Sequence, residues 1–365
     1  MKKFRYVLIL IAVLFVFTGC GKPNDEQPPK EQSLEEKVAI ETCDFILQAP
    51  KDRDFKILQL SDTQIIDSSQ CRTPREESFM TENHPNNVDE KVFSYIREVV
   101  AKTTPDLIVI TGDIIYGRFD DSGVQQQALV DVMESFKIPW CPIFGNHDNE
   151  TAKGINWQCE QYEQATNCLF KKGDIELSKG NYTVGIVRDG KFERILYLMN
   201  SNGCGEPSGQ TVVDGVNKTP GLTQAHQRWF KGLSADIYNK LNKKFVPAFA
   251  FFHIPTKDFV DAAASVSPQS PTDFNLGNDY SKNWGIMVEQ SSCSNTYFAR
   301  HFRDAKIEAC FVGHDHLNNF AIDFDGVKWV YGLKTGSYDY SPEKMGGNLI
   351  SVGQSSYSVK PIYVD

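Results

Sequence analysis

Four of the seven histidines stand in short blocks shared with Asp, Asn and Gly. The blocks are Ser61-Asp62-Thr63-Gln64, Thr111-Gly112-Asp113, Gly145-Asn146-His147-Asp148, His253-Ile254-Pro255 and Gly313-His314-Asp315-His316. These residue types suit a pair of divalent ions. Two such ions about 3.5–4 Å apart clamp the attacking and leaving oxygens of a phosphoryl transfer. The pair needs a carboxylate between the ions and neutral nitrogen and oxygen donors around them. Asp113 suits the bridge, His253, His314 and His316 offer imidazoles, and Asn146 offers an amide oxygen. With no thiolate in the set, Mn, Fe, Zn or Co fits better than a soft metal.

Every block follows an apolar run of strand length: Phe55–Leu60, 107–110, 138–144, 246–252 and Ile307–Val312. Sites in open α/β sheets form at the carboxyl ends of strands. Asp and Asn are common turn formers, so one block says little; five of one kind exceed what turns require. Pro139 and Pro142 predict irregular pairing for the third run. The spacing predicts helices over 88–102, 124–136, 223–241 and 294–304, and further strands over 182–187 and 194–199. Strands alternating with helices predict a layered α/β domain, and the strand-rich tail predicts a second sheet packed on the first. His314 and His316, two apart, are expected on one strand face. His226 stands beside Trp229 and Phe230 in a helical stretch and reads as structural; His84 and His301 have no partner motif.

The ordered set Asp-x-x, Gly-Asp, Gly-Asn-His-Asp, His, Gly-His-x-His resembles the calcineurin-like metallophosphoesterase family over Asp62 to His316. Phe251-Phe252-His253-Ile254-Pro255 and Tyr331-Gly332-Leu333-Lys334-Thr335-Gly336 resemble its purple-acid-phosphatase-related branch. The resemblance implies a four-layer α/β/β/α sandwich of two mixed sheets, with a dinuclear metal site at strand C-terminal ends. It implies two divalent ions, Mn, Fe or Zn. Asp62 and His316 would hold the first, Asn146, His253 and His314 the second, and Asp113 would bridge. A hydroxide between the ions would attack phosphorus. His147 would stabilise charge on the phosphoryl oxygens and protonate the leaving group, and Asp148 would orient His147.

Gln64 departs from the family's usual Asp-x-His. Three arrangements are open: Gln64 ligates the first metal through its amide oxygen, it hydrogen-bonds a bound water, or the first site is weak and the enzyme mononuclear. Tyr116 and Arg118 follow the Gly-Asp block, and Arg118 suits either a phosphate oxygen or a solvated loop. The segments 70–86, 151–180 and 257–283 are polar and rich in Gly, Pro or Ser, and are expected as long loops around the cleft. They and their margins carry Trp157, Tyr162, Phe259, Phe274, Tyr280 and Trp284, candidates to stack on a base, sugar or aryl group.

The 365 residues are 41% apolar and 23% charged, enough for a large core and too apolar for global disorder. A formal charge of −9 argues against binding duplex nucleic acid. Lys2, Lys3 and Arg5 precede an apolar run from Tyr6 to Phe17, too short to span a membrane and of signal-peptide length. The run ends in Phe17-Thr18-Gly19-Cys20, which resembles a bacterial lipobox with Cys20 as the lipidated mature N-terminus. Cleavage there takes the charge from −9 to −12. Residues 1–19 are thus expected as a lipoprotein signal peptide, 20–50 as a lipid-anchored tether, Pro-rich over 21–40, and 51–365 as the catalytic domain. Of the other eight cysteines, Cys141 and Cys310 lie in strand-like runs and read as buried thiols, while Cys159 and Cys168 are the best disulfide candidates. The resulting expectation is an extracytoplasmic, membrane-anchored bacterial hydrolase of phosphate esters. Its rival is a surface lipoprotein that binds metal or a phosphate ligand without catalysis, degenerate at Gln64.

Overall fold

The structure, a computed structural model, describes residues 43–67, 89–173, 177–202 and 221–365. Two sheets build it. The smaller contains β2 (Phe55–Leu60), β3 (Leu107–Thr111), β4 (Trp140–Ile143), β13 (Gly346–Val352) and β14 (Tyr357–Tyr363), in the order β14-β13-β2-β3-β4. β2, β3 and β4 run parallel, so the carboxyl ends of these three share one edge, and β13 runs antiparallel to β2. The larger has nine strands: β1 (Phe45–Gln48), β5 (Tyr182–Arg188), β6 (Lys191–Leu198), β7 (Ala248–Phe251), β8 (Phe274–Asn275), β9 (Trp284–Met287), β10 (Ile307–Val312), β11 (Asn319–Phe324) and β12 (Val327–Tyr331). Their order is β1-β5-β6-β7-β10-β12-β11-β9-β8, with β6, β7, β10 and β12 parallel.

Alternation along the larger sheet's strands explains the sandwich. Leu196, Phe249, Phe251, Phe311 and Val330 join a core shared with Ile57, Ile108 and Ile350 of the smaller sheet. Their neighbours Tyr197, Ala250, Cys310, Trp329 and Tyr331 join a second core with the helices on the opposite face. Each fully buried side chain of this size contributes about 1.5–3 kcal/mol. The helices are α1 (Asp89–Thr103), α2 (Val124–Ser135), α3 (Gly154–Gln164), α4 (Gln224–Lys240), α5 (Lys257–Val266) and α6 (Ala299–Asp304). α1 packs on β2, β13 and β14, whereas α5 packs on β11 and β12 and α6 on β10 and β12. The four-layer arrangement of two mixed sheets is therefore present.

Several local expectations need correction. Phe45–Gln48 pairs in parallel with β5, and Phe45 and Leu47 pack on the core, so the folded domain begins before residue 51. The helix expected over 294–304 starts only at Ala299. The Ser294 amide donates to Pro255 O and the Thr296 hydroxyl donates to Leu222 O, and these bonds to distant carbonyls take the place of a helical turn. The supposed loops 151–180 and 257–283 contain α3 and α5. Cys159, on the buried face of α3, and Cys168 are unpaired thiols in the core. Residues 1–42, with the signal, Cys20 and most of the tether, and residues 70–86 lie outside the described residues. Among the described residues, no helix is long and apolar enough to cross a membrane.

Candidate metal centre

The carboxyl ends of β2, β3 and β4 deliver Asp62, Asp113 and Asn146, and those of β7 and β10 deliver His253, His314 and His316. Backbone bonds tie these ends together: Asp62 N donates to Gly112 O at 3.1 Å, Gln64 N to Asp113 O at 2.8 Å, and Gly313 N to His253 O at 3.2 Å. Asp62, Gln64, Asp113 and His314 all adopt left-handed backbone, with φ of 51, 42, 47 and 82°. Such conformations carry strain and concentrate where surrounding structure holds a functional geometry. Gly145 and Gly313 are required by close approach. A Cβ on Gly145 would lie 2.2 Å from Asp113 Oδ1, and one on Gly313 would lie 2.0 Å from Ser61 Oγ and 2.5 Å from Asp62 Oδ2.

Two ligand groups share Asp113: one with His253 and His314, the other with Asp62 and His316, the ligand atoms of each within 4.8 Å of one another. In the first group, His253 Nε2 lies 3.1 Å from Asp113 Oδ2 and 3.2 Å from Asn146 Oδ1. Its Nδ1–H donates to Thr111 O at 2.8 Å, which aims Nε2 at the cluster. The His314 imidazole is held neutral, its pKa pushed down to about 4 by burial and by His253. Burial alone would raise the Asp113 carboxyl, but His253 and His147 hold it well below the usual range. Burial would lower the His253 pKa, but Asp113 and Asp62 raise it to about 10, so a cation bound there would replace a proton. Imidazole nitrogen, amide oxygen and ionised carboxylate around one point are a donor set that fits a borderline divalent cation.

The second group is built differently. His316 Nε2 lies 3.6 Å from Asp62 Oδ1. Asp62 accepts from the His314 amide at 3.2 Å and from the Ser61 hydroxyl, and burial raises its pKa. Gln64 Oε1, for which ligation of the first metal was one of three arrangements, accepts from Lys334 Nζ at 2.7 Å. The same ammonium stands 2.8 Å from His316 Nδ1. Lys334 is fully buried. Burial pulls its pKa down to about 8, against the pull of Asp62, Asp339, Asp113 and Glu289.

His147 begins a 3-10 turn, His147–Glu150, and its amide donates to Asp113 Oδ1 at 2.8 Å. Its Nδ1 meets Glu150 Oε2 at 2.8 Å, and its ring stacks on Tyr116 at 4.1 Å between centroids. Burial would lower its pKa, but Glu150 and Asp113 raise it to about 9, so the imidazolium persists at neutral pH. The expected partner Asp148 is not on His147. Its carboxylate accepts from the backbone amides of Ile114, Ile115 and Gly145 at 2.9, 3.0 and 2.6 Å, pinning the β3 and β4 turns together.

All seven expected ligands are thus gathered, with Gln64 engaged elsewhere. His314 and His316 meet the cluster from a turn after β10 rather than from one strand face. Tyr162, Phe259, Phe274 and Trp284 are core residues, not cleft aromatics. Instead, Tyr116 stacks on His147 and Tyr340 on His316, the latter at 4.3 Å. His226 is structural as expected: its Nδ1 accepts from the Thr223 amide at 3.1 Å and caps α4. Glu150 and Lys334 were missed. Glu150 follows His147 by three, a spacing that superposes side chains on a 3-10 turn. Lys334 carries only the weak signal of a lysine inside an otherwise apolar and small-residue phrase.

Comparison with known proteins follows the same lines. A family profile described as calcineurin-like phosphoesterase matches residues 55–318. "Probable inactive purple acid phosphatase 29" from Arabidopsis thaliana is 26% identical over 313 residues, covering 79% of this chain and 73% of that protein. "Phosphatase DCR2" from Saccharomyces cerevisiae is 24% identical, covering 77% and 47% of the two chains. Among solved structures, a dimetal phosphatase from Danio rerio aligns with a TM-score of 0.47 at 12% identity, covering 85% of this chain and 96% of that one.

Proposed function

Because the chain belongs to the calcineurin-like phosphoesterase family, we propose that it hydrolyses phosphoric esters in a metal-dependent reaction. One observation carries this reading: His253 Nε2, Asp113 Oδ2 and Asn146 Oδ1 converge within 3.2 Å, beside an imidazolium tethered to the same Asp113. Asp113, Asn146, His253 and His314 are the residues that would hold a divalent ion. Bound there, it supplies Lewis-acid polarisation of a phosphoryl oxygen and a water acidic enough to attack phosphorus at neutral pH. The chain's own part falls to His147. Its Nδ1–H is held by Glu150, its amide is fixed by Asp113, and its cationic ring stabilises charge on the phosphoryl oxygens. As the ester bond breaks, the Nε2 proton passes to the leaving oxygen, leaving a neutral imidazole.

The test is hydrolysis of an aryl phosphate monoester and a bis-aryl diester by the full chain with Mn²⁺. His147→Ala should cut turnover by roughly 10²–10⁴-fold while metal content stays unchanged. Turnover that survives the change would refute the assigned role.

A non-catalytic metal-binding or phosphate-ligand-binding protein is the second reading. The engagement of Gln64 by Lys334 and the word "inactive" in the Arabidopsis relative's name favour it. Metal uptake with no hydrolysis of either ester would select it. As to location, the basic start, the apolar run and Cys20 support export and lipid anchoring. A Cys20→Ala chain should leave the membrane fraction.

A further inference from the structure

The face of β2 that meets the larger sheet changes character at its carboxyl end. Phe55 and Ile57 are apolar core residues, and Gln59 stands next on the same face by the two-residue period. Its cross-strand neighbour on β13 is Asn348, followed on that face by the core residues Ile350 and Val352. Both amides are fully buried. A buried polar side chain among apolar neighbours is costly unless its hydrogen bonds are met, so its partners define its role.

Gln59 Nε2 donates to Thr111 Oγ1 on β3 at 3.1 Å and to the Val312 carbonyl on β10 at 3.0 Å. One NH₂ group thus bonds the two sheets to each other. Gln59 Oε1 accepts from Asn348 Nδ2 at 3.3 Å, and the same Nδ2 donates to the Tyr331 carbonyl on β12 at 3.2 Å. Asn319 Nδ2 on β11 donates to that carbonyl at 3.0 Å and to Asn348 Oδ1 at 3.3 Å. Backbone carbonyls only accept, so they fix which end of each amide carries the hydrogens. The approach is close: a Cβ on Gly332 would lie 2.6 Å from Gln59 Nε2.

The strands that Gln59 joins carry the metal ligands. Thr111 ends β3 just before Gly112-Asp113, and Val312 ends β10 just before Gly313-His314. The Thr111 carbonyl also lies 2.8 Å from His253 Nδ1. Ligands from two sheets converge on one point only while the sheet edges keep their spacing, and apolar contact is non-directional.

We propose that Gln59 is a positioning residue for the metal centre. Its amide sets the spacing of the β3 and β10 ends, and thereby that of Asp113, His253 and His314. This rests on the metal-centre reading above and adds what holds the two halves of the centre in register.

The experiment measures Mn²⁺ affinity of the full chain by titration calorimetry well below the melting temperature, and melting with and without chelator. Gln59→Met keeps the side-chain length and removes the amide. Every partner keeps another bond: Val312 O accepts from Gly332 N, Thr111 Oγ1 donates to Leu60 O, and Asn348 Nδ2 donates to Tyr331 O. The variant should therefore fold, and bind Mn²⁺ about 10–100-fold more weakly, as when groups that orient metal ligands are removed. A tenfold loss is about 1.4 kcal/mol, so the drop in melting temperature on chelation should shrink by about 3 °C. Phe311→Ala opens the apolar seam beside Val312 and leaves the amides in place. It should melt lower and bind Mn²⁺ as the parent does. Thr111→Val removes one of the two acceptors of Gln59 and should weaken binding severalfold, and the double variant should lose less than the two single losses combined. Parent-like affinity in Gln59→Met would overturn the proposal; should that variant fail to fold, parent-like affinity in Thr111→Val would do so. An equal loss in Phe311→Ala would overturn it too, since the whole seam rather than the amide would then set the centre. A parent chain that takes up no Mn²⁺ would overturn the metal-centre reading and this inference with it, a result seen before any variant is made.

Discussion

At the residue scale, two neighbouring carboxylates divide the work that the motif alone assigns to one. Glu150 holds His147 through Nδ1, and Asp148 holds three backbone amides. Their variants should therefore behave differently. Glu150→Gln keeps the shape and removes the negative charge that raises the His147 pKa. A general acid works in its protonated form, so the rate falls as pH rises through that pKa. With the charge gone the fall should begin at lower pH, moving from about 9 toward the ordinary histidine value near 6.5. A pH–rate profile checks it, and an unmoved alkaline limb would put some other group in the acid's place. Asp148→Ala instead strands three buried amides, each costing about 1–3 kcal/mol. It should lower the melting temperature by several degrees while leaving the position of the alkaline limb unchanged.

Elements place these residues through their ends, and here legibility varies. The runs before the blocks read directly as strands because β2, β3 and β10 are buried on both faces and such strands are continuous apolar stretches. The pairing order was not legible, because β1, β8 and β9 are short strands without a regular apolar pattern, and the partner of β1, β5, lies far along the chain. The ligands were legible because the residue types for metal binding are few. Lys334 was not, because its role depends on one loop crossing another: Thr335 N donates to Ser61 O at 2.8 Å and Gly336 N to Asp62 O at 3.1 Å, which brings Lys334 beside Gln64. Close approach gives a test at this scale. Gly145→Ala would set a methyl 2.3 Å from the Asp113 backbone nitrogen. It should displace the β4 turn and lower Mn²⁺ retention by tenfold or more, and retention equal to the parent chain would contradict the packing. The α4 cap gives another. His226 is buried, and burial lowers its pKa from 6.5 to about 4. The unfolded chain takes up this proton first, so the neutral cap's stability is complete above pH 6.5 and is lost as pH falls toward 4. Two to three pH units at about 1.4 kcal/mol each give a loss of roughly 3 kcal/mol. His226→Gln should flatten that part of the stability–pH curve.

For the whole molecule, the centre lies where two sheets meet. Asp113 and Asn146 come from the smaller sheet, His253 and His314 from the larger. The sheets otherwise touch through an apolar seam that includes Phe249, Phe251 and Phe311. An ion held by ligands from both sheets is a cross-link that the unfolded chain lacks. Binding to the folded state alone stabilises it by RT ln(1 + [L]/Kd), about 2.7 kcal/mol at a hundredfold excess over Kd. For a domain this large, each kcal/mol moves the melting temperature by roughly 2 °C. Chelation should therefore lower the melting temperature of the Mn²⁺-loaded protein by about 5 °C, without changing the cooperativity of the transition. His314→Ala removes a ligand supplied by the larger sheet and should melt at one temperature with or without chelator. Phe311→Ala leaves every ligand and opens the seam at a cost of about 3–5 kcal/mol. It should melt lower than the parent and still lose the same further increment on chelation, because a seam contact and an ion at its edge add independently when they share no partners. An increment that vanished in Phe311→Ala would mean that seam and ion act as one cooperative unit.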